Sequence, residues 1–459
     1  MILLGGGVCG LATALMLARD GHDVTLLERD PAPAPDSVEA AWGWERGGVP
    51  QFRQPHGLQP LAHRVLEEQL PDVRDAIVAA GGQLANPLAF MPPTIADCTP
   101  RPGDERFVSL SVRRPTLEQA IARAADAQPG LTIRRGTAAA ALLTRGMNGS
   151  SHVMGVRTDA GDELVADLVV DAMGRGSRLP GLLADAGLEP AAEEAEDARF
   201  IYYTRYFRGP AQPQPRAPRL TAVGSFSIVT LPGDNDTWSV TLFVAAGDRP
   251  LKRLRDTGAW TALVRACPRH AHWLDGEPLT DVLPMAGVMD RHRAAAPPAT
   301  GVVSVADAWA CTNPTLGRGI ALGLAHAAVL REVVRTRLDD PRALADEWRE
   351  RTERELAPWY RGCVASDRAR VAEMDAHRDG RTPPPPDDPA AVLRTALFAA
   401  MPYDPEAFRA GMEIIGCLAQ PEEVLARPGL AERVIAVAED ARDAPPMGPA
   451  RDELLRLVA

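Results

Sequence analysis

Residues 2–10 read Ile-Leu-Leu-Gly-Gly-Gly-Val-Cys-Gly, a short apolar segment followed at once by the pattern G-x-G-x-x-G. Apolar residues then recur at helical spacing as far as Gly21, and a second apolar segment, 24–27, ends at Glu28. This order predicts a strand, a glycine loop, a helix and a second strand. In that context a glycine loop binds the pyrophosphate of a dinucleotide at the N-terminus of a helix.

The three motif glycines have separate predicted tasks. Gly5 permits a tight turn, Gly7 lets the main chain approach a phosphate, and Gly10 lets the helix pack closely on the strand. A carboxylate at Glu28 can accept hydrogen bonds from a ribose, and the adjacent Arg29 is a further candidate for the same site. The alternative is a glycine-rich loop without function. The motif alone does not separate FAD from NAD.

The bulk composition narrows the class of protein. A length of 459 residues is enough for two or three domains, and a net charge of −11 argues against a nucleic-acid-binding surface. The six cysteines are scattered, without a C-x-x-C or Cys/His cluster, so neither disulfides nor a metal site is predicted. The sequence shows no signal peptide and no apolar run long enough to span a bilayer, which favours a cytoplasmic protein without a membrane span.

The nucleotide-binding pattern is interrupted along the chain. Apolar strands that deliver carboxylates recur at Asp171 and Asp307, whereas residues 198–245 alternate as the strands of a separate sheet. Such interleaving predicts a substrate domain inserted into a dinucleotide-binding domain. The predicted domains are a dinucleotide-binding domain, 1–190 and 285–345, a mainly antiparallel substrate-binding sheet, 191–284 with part of 81–112, and a helical C-terminal region, 346–459.

The segment 302–320 carries a second cluster of candidate residues. An apolar strand delivers Asp307, a loop with Pro314 follows, and a helix begins at the glycine pair Gly317 and Gly319. Asp307 can hold a ribityl hydroxyl, and main-chain N–H groups at the start of the helix can face a developing negative charge. Taken alone, these residues also fit an ordinary strand–loop–helix connection.

Together these clusters resemble the flavin monooxygenase family typified by p-hydroxybenzoate hydroxylase. In that family the glycine loop binds the ADP moiety of FAD, a G-D motif followed by Pro and G-x-G binds the ribityl chain, and a middle D-G motif lies near the pyrophosphate. Here the latter two read Ala306-Asp307 and Asp171-Ala172, so both carboxylates are kept and one glycine of each motif is replaced by alanine. The matching residues cover about 1–190 and 285–340, and the sheet domain fits by position only.

The resemblance implies an α/β fold (α+β overall), with a Rossmann-like FAD-binding domain, an inserted, mainly antiparallel β-sheet domain and a helical C-terminal region. It implies FAD as cofactor. NAD(P)H would be a transient reductant or would act through a partner flavin reductase, because no second G-x-G-x-x-G follows a strand. Arg114 matches the family's R-x-x-L, whose arginine approaches the flavin, although a surface ion pair is an alternative, and Arg46 would reach the phosphate or ribityl group. The cofactor-binding candidates are Gly5, Gly7, Gly10, Glu28, Arg29, Arg46, Arg114, Asp307, Gly317, Arg318, Gly319 and Ile320.

Four residues are candidates for catalysis. By the resemblance, Pro314 lies close to the reacting edge of the flavin. Tyr202 and Tyr203 lie on the predicted sheet, where a phenol can orient or deprotonate a hydroxyl-bearing substrate, with half-buried packing as the alternative. His56 lies in the loop after Arg46 and is either a catalytic or a structural histidine.

The resemblance implies a monooxygenase of secondary metabolism. Reduced flavin would react with O2 and, through a flavin hydroperoxide, insert one oxygen atom into an aromatic or polyketide-like small molecule by hydroxylation or epoxidation. An FAD-dependent reductase or dehydrogenase acting on an alkene is the alternative enzyme. A flavin halogenase needs an active-site lysine in the N-terminal third, and Lys252 is the only lysine. A flavoprotein used only as a binding or scaffold module is the non-enzymatic alternative.

Overall fold

A parallel sheet of five strands forms the centre of the molecule. The computed structural model describes residues 1–147, 150–294, 299–383, 385–386, 388–440 and 447–459. Across this sheet the strands are Val302–Ser304, Val169–Asp171, Ile2–Leu4, Val24–Glu28 and Leu131–Arg135. The three central strands are nearly continuous apolar segments because helices and a further sheet cover both faces.

Three helices are placed by this sheet. Helix Val8–Arg19 follows the first strand and packs against both Arg114–Asp126 and Gly319–Arg337. Its side of the sheet is closed by fully buried residues such as Leu15 and Leu330. The helices Val8–Arg19 and Gly319–Arg337 both begin beyond the carboxyl ends of parallel strands, which is where ligands bind in open α/β sheets.

A second, antiparallel sheet is inserted between the strands of the first. Its strands are Leu220–Val223, Phe226–Pro232, Thr237–Ala245, Phe200–Arg208 and Glu277–Pro278 in spatial order, with Leu283–Met285 also paired to Phe200–Arg208. One face is covered by helix Thr257–Arg265 and by Leu454 and Val458 near the C-terminus. The other face is turned towards the parallel-sheet domain.

Three smaller sheets complete the strand pairing of the described ranges. Two of them join segments that are distant in sequence, and the third is a meander beside the parallel sheet. They comprise Gly57–Leu58, Ser109–Ser111 and Gln83–Ala85; Glu193–Asp197, Met289–Arg293 and Ala310–Cys311; and Ala139–Met147, Ser150–Thr158 and Glu163–Val165.

The C-terminal region is helical, and a subset of its helices has its own apolar core. Leu397, Ala410 and Val434 lie at the centre of that core. Within the described ranges, no helix combines the length and apolarity that crossing a membrane requires. The helices of this region are Pro341–Glu355, Ala357–Arg378, Pro389–Ala400, Pro405–Ile415, Pro421–Leu425, Leu430–Asp440 and Arg451–Leu457.

The predicted fold class is confirmed. A Rossmann-like domain is split by an inserted antiparallel sheet, and helices follow it. The predicted domain boundaries stay a prediction, and one finding bears on them. Helix Arg451–Leu457 lies in the C-terminal region but packs into the core of the antiparallel sheet. The remaining α-helices are Val38–Ala41, Pro60–Gln69, Pro71–Ala79 and Leu179–Asp185.

Candidate functional site

A large cavity of about 1830 Å³ lies where the two sheets and the C-terminal helices meet. It begins at the glycine loop, passes Asp307 and Pro314, and continues beneath the antiparallel sheet. Pockets for a single small molecule typically have volumes of roughly 300–1,000 Å³. This central cavity therefore has room for a dinucleotide and a second ligand.

The glycine loop has the shape that a pyrophosphate requires. Gly5 has φ +104°, and a Cβ there would lie 2.6 Å from the carbonyl oxygen of Ala172. A Cβ at Gly10 would lie 2.1 Å from the carbonyl oxygen of Gly5, so both positions need glycine for close packing. A Cβ at Gly7 would meet no atom within 4 Å, so this main chain borders open space. Gly7 precedes helix Val8–Arg19 without a side-chain cap, which leaves first-turn N–H groups for an anion.

Glu28 ties the second strand to this loop. Its Oε2 accepts a hydrogen bond from the Gly6 N–H at 2.8 Å, and its Oε1 accepts one from the Asp30 N–H at 2.8 Å. Arg46 donates to the same Oε2 at 3.2 Å and to the Gly6 carbonyl at 2.9 Å. Oε2 thus has two donors and Oε1 only one, so the second lone pair of Oε1 can still accept a ribose hydroxyl. Arg29 is exposed and lines the cavity beside it.

Arg114 and His56 form a hydrogen-bonded pair at the wall of the cavity. Nδ1 of His56 lies 2.8 Å from the Gln54 carbonyl, and Nε2 accepts a hydrogen bond from Nη1 of Arg114 at 3.1 Å. The carbonyl can only accept, so the proton is on Nδ1 and the imidazole is neutral. Burial and the Arg114 charge lower the pKa of His56 to about 3. Arg114 also donates to Oε1 of Glu118 at 2.7 Å, so His56 fixes an arginine and has no free ring nitrogen for acid–base catalysis.

Asp307 presents its carboxylate to the cavity. Among the described residues none donates a hydrogen bond to it. Burial raises the pKa of the carboxyl group, and the guanidinium groups of Arg114 and Arg175 oppose that rise. A Cβ at Gly319 would lie 3.9 Å from Oδ1, so the carboxylate lies beside the start of helix Gly319–Arg337. An acceptor that faces the cavity without a described donor fits a hydroxyl-bearing ligand.

Asp171, at the end of the neighbouring strand, is the contrasting case. Its Oδ2 accepts from the Ser177 hydroxyl at 2.5 Å, and its Oδ1 accepts from the Met173 N–H at 3.0 Å. Ser304 donates to Oδ2 at 3.3 Å. All of its contacts are therefore internal, and Asp171 fastens the turn after its strand to the next strand.

Residues 312–318, which we name the proline loop, carry Pro314 along the cavity wall. The loop is held from two sides. The hydroxyl of Tyr202 donates to Oδ1 of Asn313 at 2.6 Å and lies 2.9 Å from Oγ1 of Thr315. The Asn313 N–H donates to Oδ1 of Asp290 at 2.7 Å. Burial raises the pKa of the Tyr202 phenol, so the group stays protonated and acts as a donor.

Two predicted site residues point elsewhere. Side chains alternate along a strand, so Tyr203 lies on the face of the sheet opposite to Tyr202 and packs in the core with Trp260. Tyr203 is thus corrected from a catalytic candidate to a core residue. Arg318 lines the cavity, but its guanidinium donates to the Ile414 carbonyl at 2.9 Å and lies 5.1 Å from the centre of the Trp359 ring. Its side chain therefore anchors the C-terminal helices.

Several residues around the proline loop were not found by sequence reasoning. Asn313 and Thr315 flank the predicted Pro314, so proximity in sequence was a usable signal for them. Asp290 and Asp367 lie behind the proline loop and are buried, and burial together with the Asp290 charge raises the pKa of Asp367 to about 7. No local pattern marks either acid, because each comes from a distant element.

The far end of the cavity is built by the C-terminal region, which carries no recognisable motif. Side chains from helices Pro389–Ala400 and Pro405–Ile415 and from the turn between them line it. The opposite wall is the inner face of the antiparallel sheet, including Val229 and Thr241. The C-terminal side chains are Phe398, Met401, Tyr403, Phe408, Met412 and Ile415.

The residues present fit FAD. The open space at Gly7, the uncapped first turn of the helix and the unpaired carboxylate of Asp307 lie along one cavity, in the order pyrophosphate, then ribityl. In the described ranges no group of three His, Cys, Asp or Glu residues is placed to hold a metal ion.

Comparison with known proteins gives the same assignment. Residues 2–92 match the family model described as FAD dependent oxidoreductase. The chain is 27% identical over 371 residues to Protein Rv3254 of Mycobacterium tuberculosis, covering 73% of this chain and 73% of that protein. It is 30% identical over 184 residues to kynurenine 3-monooxygenase of Salinispora arenicola, covering 38% of this chain and 36% of that protein.

Solved structures share the fold. The FAD-dependent monooxygenase pqsL from Pseudomonas aeruginosa, itself described as probable, aligns with TM-score 0.62 and 18% identity over 83% of this chain and 97% of its own. The anhydrotetracycline hydroxylase OxyS from Streptomyces rimosus aligns with TM-score 0.57 and 17% identity over 91% and 75%. The flavin-dependent brominase Bmp2 aligns with TM-score 0.58 and 14% identity over 96% and 99%. The chain therefore carries an FAD-dependent oxidoreductase domain and has the fold of flavoprotein hydroxylases, which a flavin-dependent brominase shares.

Proposed function

We propose that this chain is an FAD-dependent monooxygenase that inserts one oxygen atom, by hydroxylation or epoxidation, into an aromatic or polyketide-like small molecule. The observation that carries the proposal is the central cavity, which continues from the FAD-binding residues into a large, mainly apolar space under the antiparallel sheet. Such a space suits a substrate with several rings better than a small polar metabolite.

Residues at the nucleotide end hold the cofactor in this proposal. First-turn N–H groups after Gly7 bind the pyrophosphate, Glu28 accepts a ribose hydroxyl, and Asp307 accepts ribityl hydroxyls. N–H groups at the start of helix Gly319–Arg337 would stabilise negative charge that develops on the flavin, because the dipole of that helix favours an anion there. When bound and reduced, FAD activates O2 and supplies one oxygen atom to the substrate.

Residues at the substrate end position and shield the reaction. The proline loop would line the place of the flavin ring, and Tyr202 holds that loop through Asn313 and Thr315. Because the phenol is already engaged and its pKa is raised, Tyr202 acts as a positioning residue. The apolar side chains of the C-terminal helices exclude water from the space in front of Pro314.

The remaining parts of the proposal concern the surroundings of the reaction. NAD(P)H is the reductant, either by transient contact with the flavin or through a partner flavin reductase, and O2 and the organic molecule are the other reactants. We place the enzyme in the cytoplasm and in secondary metabolism, in line with its resemblance to hydroxylases. The oxygenation balances as substrate–H, O2, NAD(P)H and a proton giving substrate–OH, water and NAD(P)⁺.

The sequence weighs against halogenation even though a brominase shares the fold. A flavin halogenase needs a lysine between the flavin and the substrate. The only lysine, Lys252, is exposed and does not line the cavity.

The deciding experiment measures the fate of isotopic oxygen. The purified protein, loaded with FAD, is mixed anaerobically with NADPH or NADH and then exposed to ¹⁸O2 with a panel of phenols, naphthols and anthracenols. The flavin absorbance reports reduction, and mass spectrometry reports the product. The proposal expects one ¹⁸O atom per product and one reduced nicotinamide consumed for each.

Three other outcomes separate the alternatives. Product formed without O2 from an alkene would establish the reductase. Flavin that is reduced only when a separate flavin reductase is added would keep the monooxygenase and assign the reductant to a partner protein. A chain that takes up no FAD at all would favour a binding or scaffold module.

A further inference from the structure

The main chain at Ala306 adopts a conformation that alanine disfavours. Its φ is +53°, in the left-handed region. A Cβ clashes with the main chain in this conformation, whereas glycine adopts it freely. Ala306 directly precedes Asp307 and stands where the resembling family has glycine. Something else in this chain must therefore stabilise the left-handed turn that aims Asp307 at the cavity.

His326 is the partner of this turn. The Ala306 N–H donates a hydrogen bond to Nδ1 of His326 at 3.1 Å. Nδ1 is therefore the unprotonated nitrogen, and the Nε2 proton is donated to Oγ1 of Thr352 at 3.0 Å. The ring is fully buried and stacks on Trp348 at 4.3 Å, which fixes its orientation. Burial lowers the pKa of His326 to about 3, so the neutral tautomer persists at physiological pH.

Gly323 supplies the space that the extra methyl group needs. A Cβ at Gly323 would lie 3.0 Å from the Cβ of Ala306 and 2.4 Å from Sγ of Cys9. Gly323 and His326 are three residues apart on helix Gly319–Arg337, so they share one face of the helix. The same face therefore accommodates the Ala306 methyl group and accepts the Ala306 N–H.

We propose that Gly323 and His326 are positioning residues that hold Ala306 in its left-handed conformation and so aim the Asp307 carboxylate at the ribityl chain of FAD. This inference rests on the FAD site proposed above. Simple core packing would require only the shape of an aromatic ring at residue 326. The observed geometry requires in addition a hydrogen-bond acceptor at the Nδ1 position, because the Ala306 N–H points at that atom.

Two variants that introduce the same amide group at different distances from the main chain separate the roles of the two ring nitrogens. In His326→Asn the amide oxygen takes the Nδ1 position and keeps an acceptor for Ala306. In His326→Gln the amide takes the Nε2 position and leaves the Ala306 N–H unpaired. His326→Phe keeps the ring shape without any acceptor. Val333→Ala, in the same helix and fully buried, is the control for loss of core packing alone.

The readouts are the FAD dissociation constant, the visible circular dichroism of bound FAD and the thermal midpoint of the apoprotein. Loss of an acceptor for one buried N–H predicts that His326→Gln and His326→Phe bind FAD about tenfold more weakly, with altered dichroism. His326→Asn should stay within about threefold of the wild type, and Val333→Ala should lower the thermal midpoint without changing FAD affinity. In an Ala306→Gly background the loss caused by His326→Gln should shrink, because glycine needs no support in this conformation.

Three results would overturn the inference: unchanged FAD affinity in His326→Gln, equal losses in the Asn and Gln variants, or an equal loss in Val333→Ala. The Asn and Gln comparison remains decisive if the Phe variant does not fold. A wild-type chain that binds FAD but inserts no oxygen overturns only the proposed reaction. A wild-type chain that binds no FAD overturns the site and this inference together.

Discussion

Replacement of Asp307 by alanine should weaken FAD binding without destabilising the apoprotein. In the proposed complex the carboxylate accepts at least one ribityl hydroxyl. A hydrogen bond to a charged group contributes about 1.5–3 kcal/mol. At about 1.4 kcal/mol per factor of ten, its loss should raise the FAD dissociation constant about 10- to 100-fold. Asp307→Asn keeps a neutral acceptor of the same size and should show a smaller loss.

The stability of the apoprotein should change in the opposite sense. Asp307 lies in the cavity wall without a described hydrogen-bond donor, and its partial burial raises its pKa above the ordinary value of 3.8. The folded state therefore retains the proton where the unfolded state has lost it, so the free energy of unfolding falls as pH rises from 3.8 through the raised pKa. Replacing Asp307 with alanine removes this fall in the free energy of unfolding. The apoprotein of Asp307→Ala should consequently be as stable as the wild type or more stable at neutral pH.

Asp171→Asn is the matched control at the end of the adjacent strand. All contacts of Asp171 are to protein groups, so this variant should lower the thermal midpoint of the apoprotein. The assay is a titration with FAD, followed by flavin fluorescence, beside thermal unfolding of each apoprotein. Wild-type FAD affinity in Asp307→Ala would refute the site. A fall of its apoprotein midpoint as large as that of Asp171→Asn would refute the argument that Asp307 is unpaired.

Three further results are expected. Tyr202→Phe removes the hydrogen bond that the phenol donates to Asn313 in the proline loop, so it should slow turnover and lower the free energy of unfolding by about 1–2 kcal/mol in a denaturation experiment. Tyr203→Phe, on the opposite face of the sheet, should leave turnover unchanged. Burial and the Asp290 charge raise the pKa of Asp367 to about 7, so the free energy of unfolding of the apoprotein should fall as pH rises from about 4 to 7, by at most ~1.4 kcal/mol per pH unit. Asp367→Asn should flatten this pH dependence in urea titrations, and an unchanged slope would contradict the burial argument. Met412→Trp should fill part of the cavity and raise KM for multi-ring substrates without changing FAD affinity. Ile435→Trp, at an exposed position outside the cavity, is the control and should change neither quantity. Equal KM values in the two variants would place the substrate elsewhere.

The sequence was most informative where function depends on neighbours in the chain. The glycine loop, its helix and the strand that ends at Glu28 are one continuous unit, so glycine spacing and apolar periodicity predict both its shape and its ligand. The same holds for the strand that delivers Asp307 and for the helix that begins at Gly319. The confirmed fold class and the confirmed assignment as an FAD-dependent oxidoreductase both follow from these local patterns.

Tertiary structure decided what depends on contacts between distant segments. Tyr202 and Tyr203 are equivalent by sequence, and only the register of their strand in the sheet assigns one to the cavity and the other to the core. His56 can be assigned a neutral tautomer only once Arg114 is placed beside it. The helices that close the far end of the cavity carry no motif, because apolar side chains line a cavity and fill a core with the same periodicity.

The sequence by itself therefore determined the cofactor class, since a pyrophosphate is bound by main-chain N–H groups whose geometry a few adjacent glycines set. It did not determine how Asp307 is aimed. The left-handed Ala306 is compatible with function only because helix Gly319–Arg337 brings Gly323 and His326 against it. A packing contact between residues about twenty positions apart leaves no periodic trace in the sequence, and the folded chain alone reveals it.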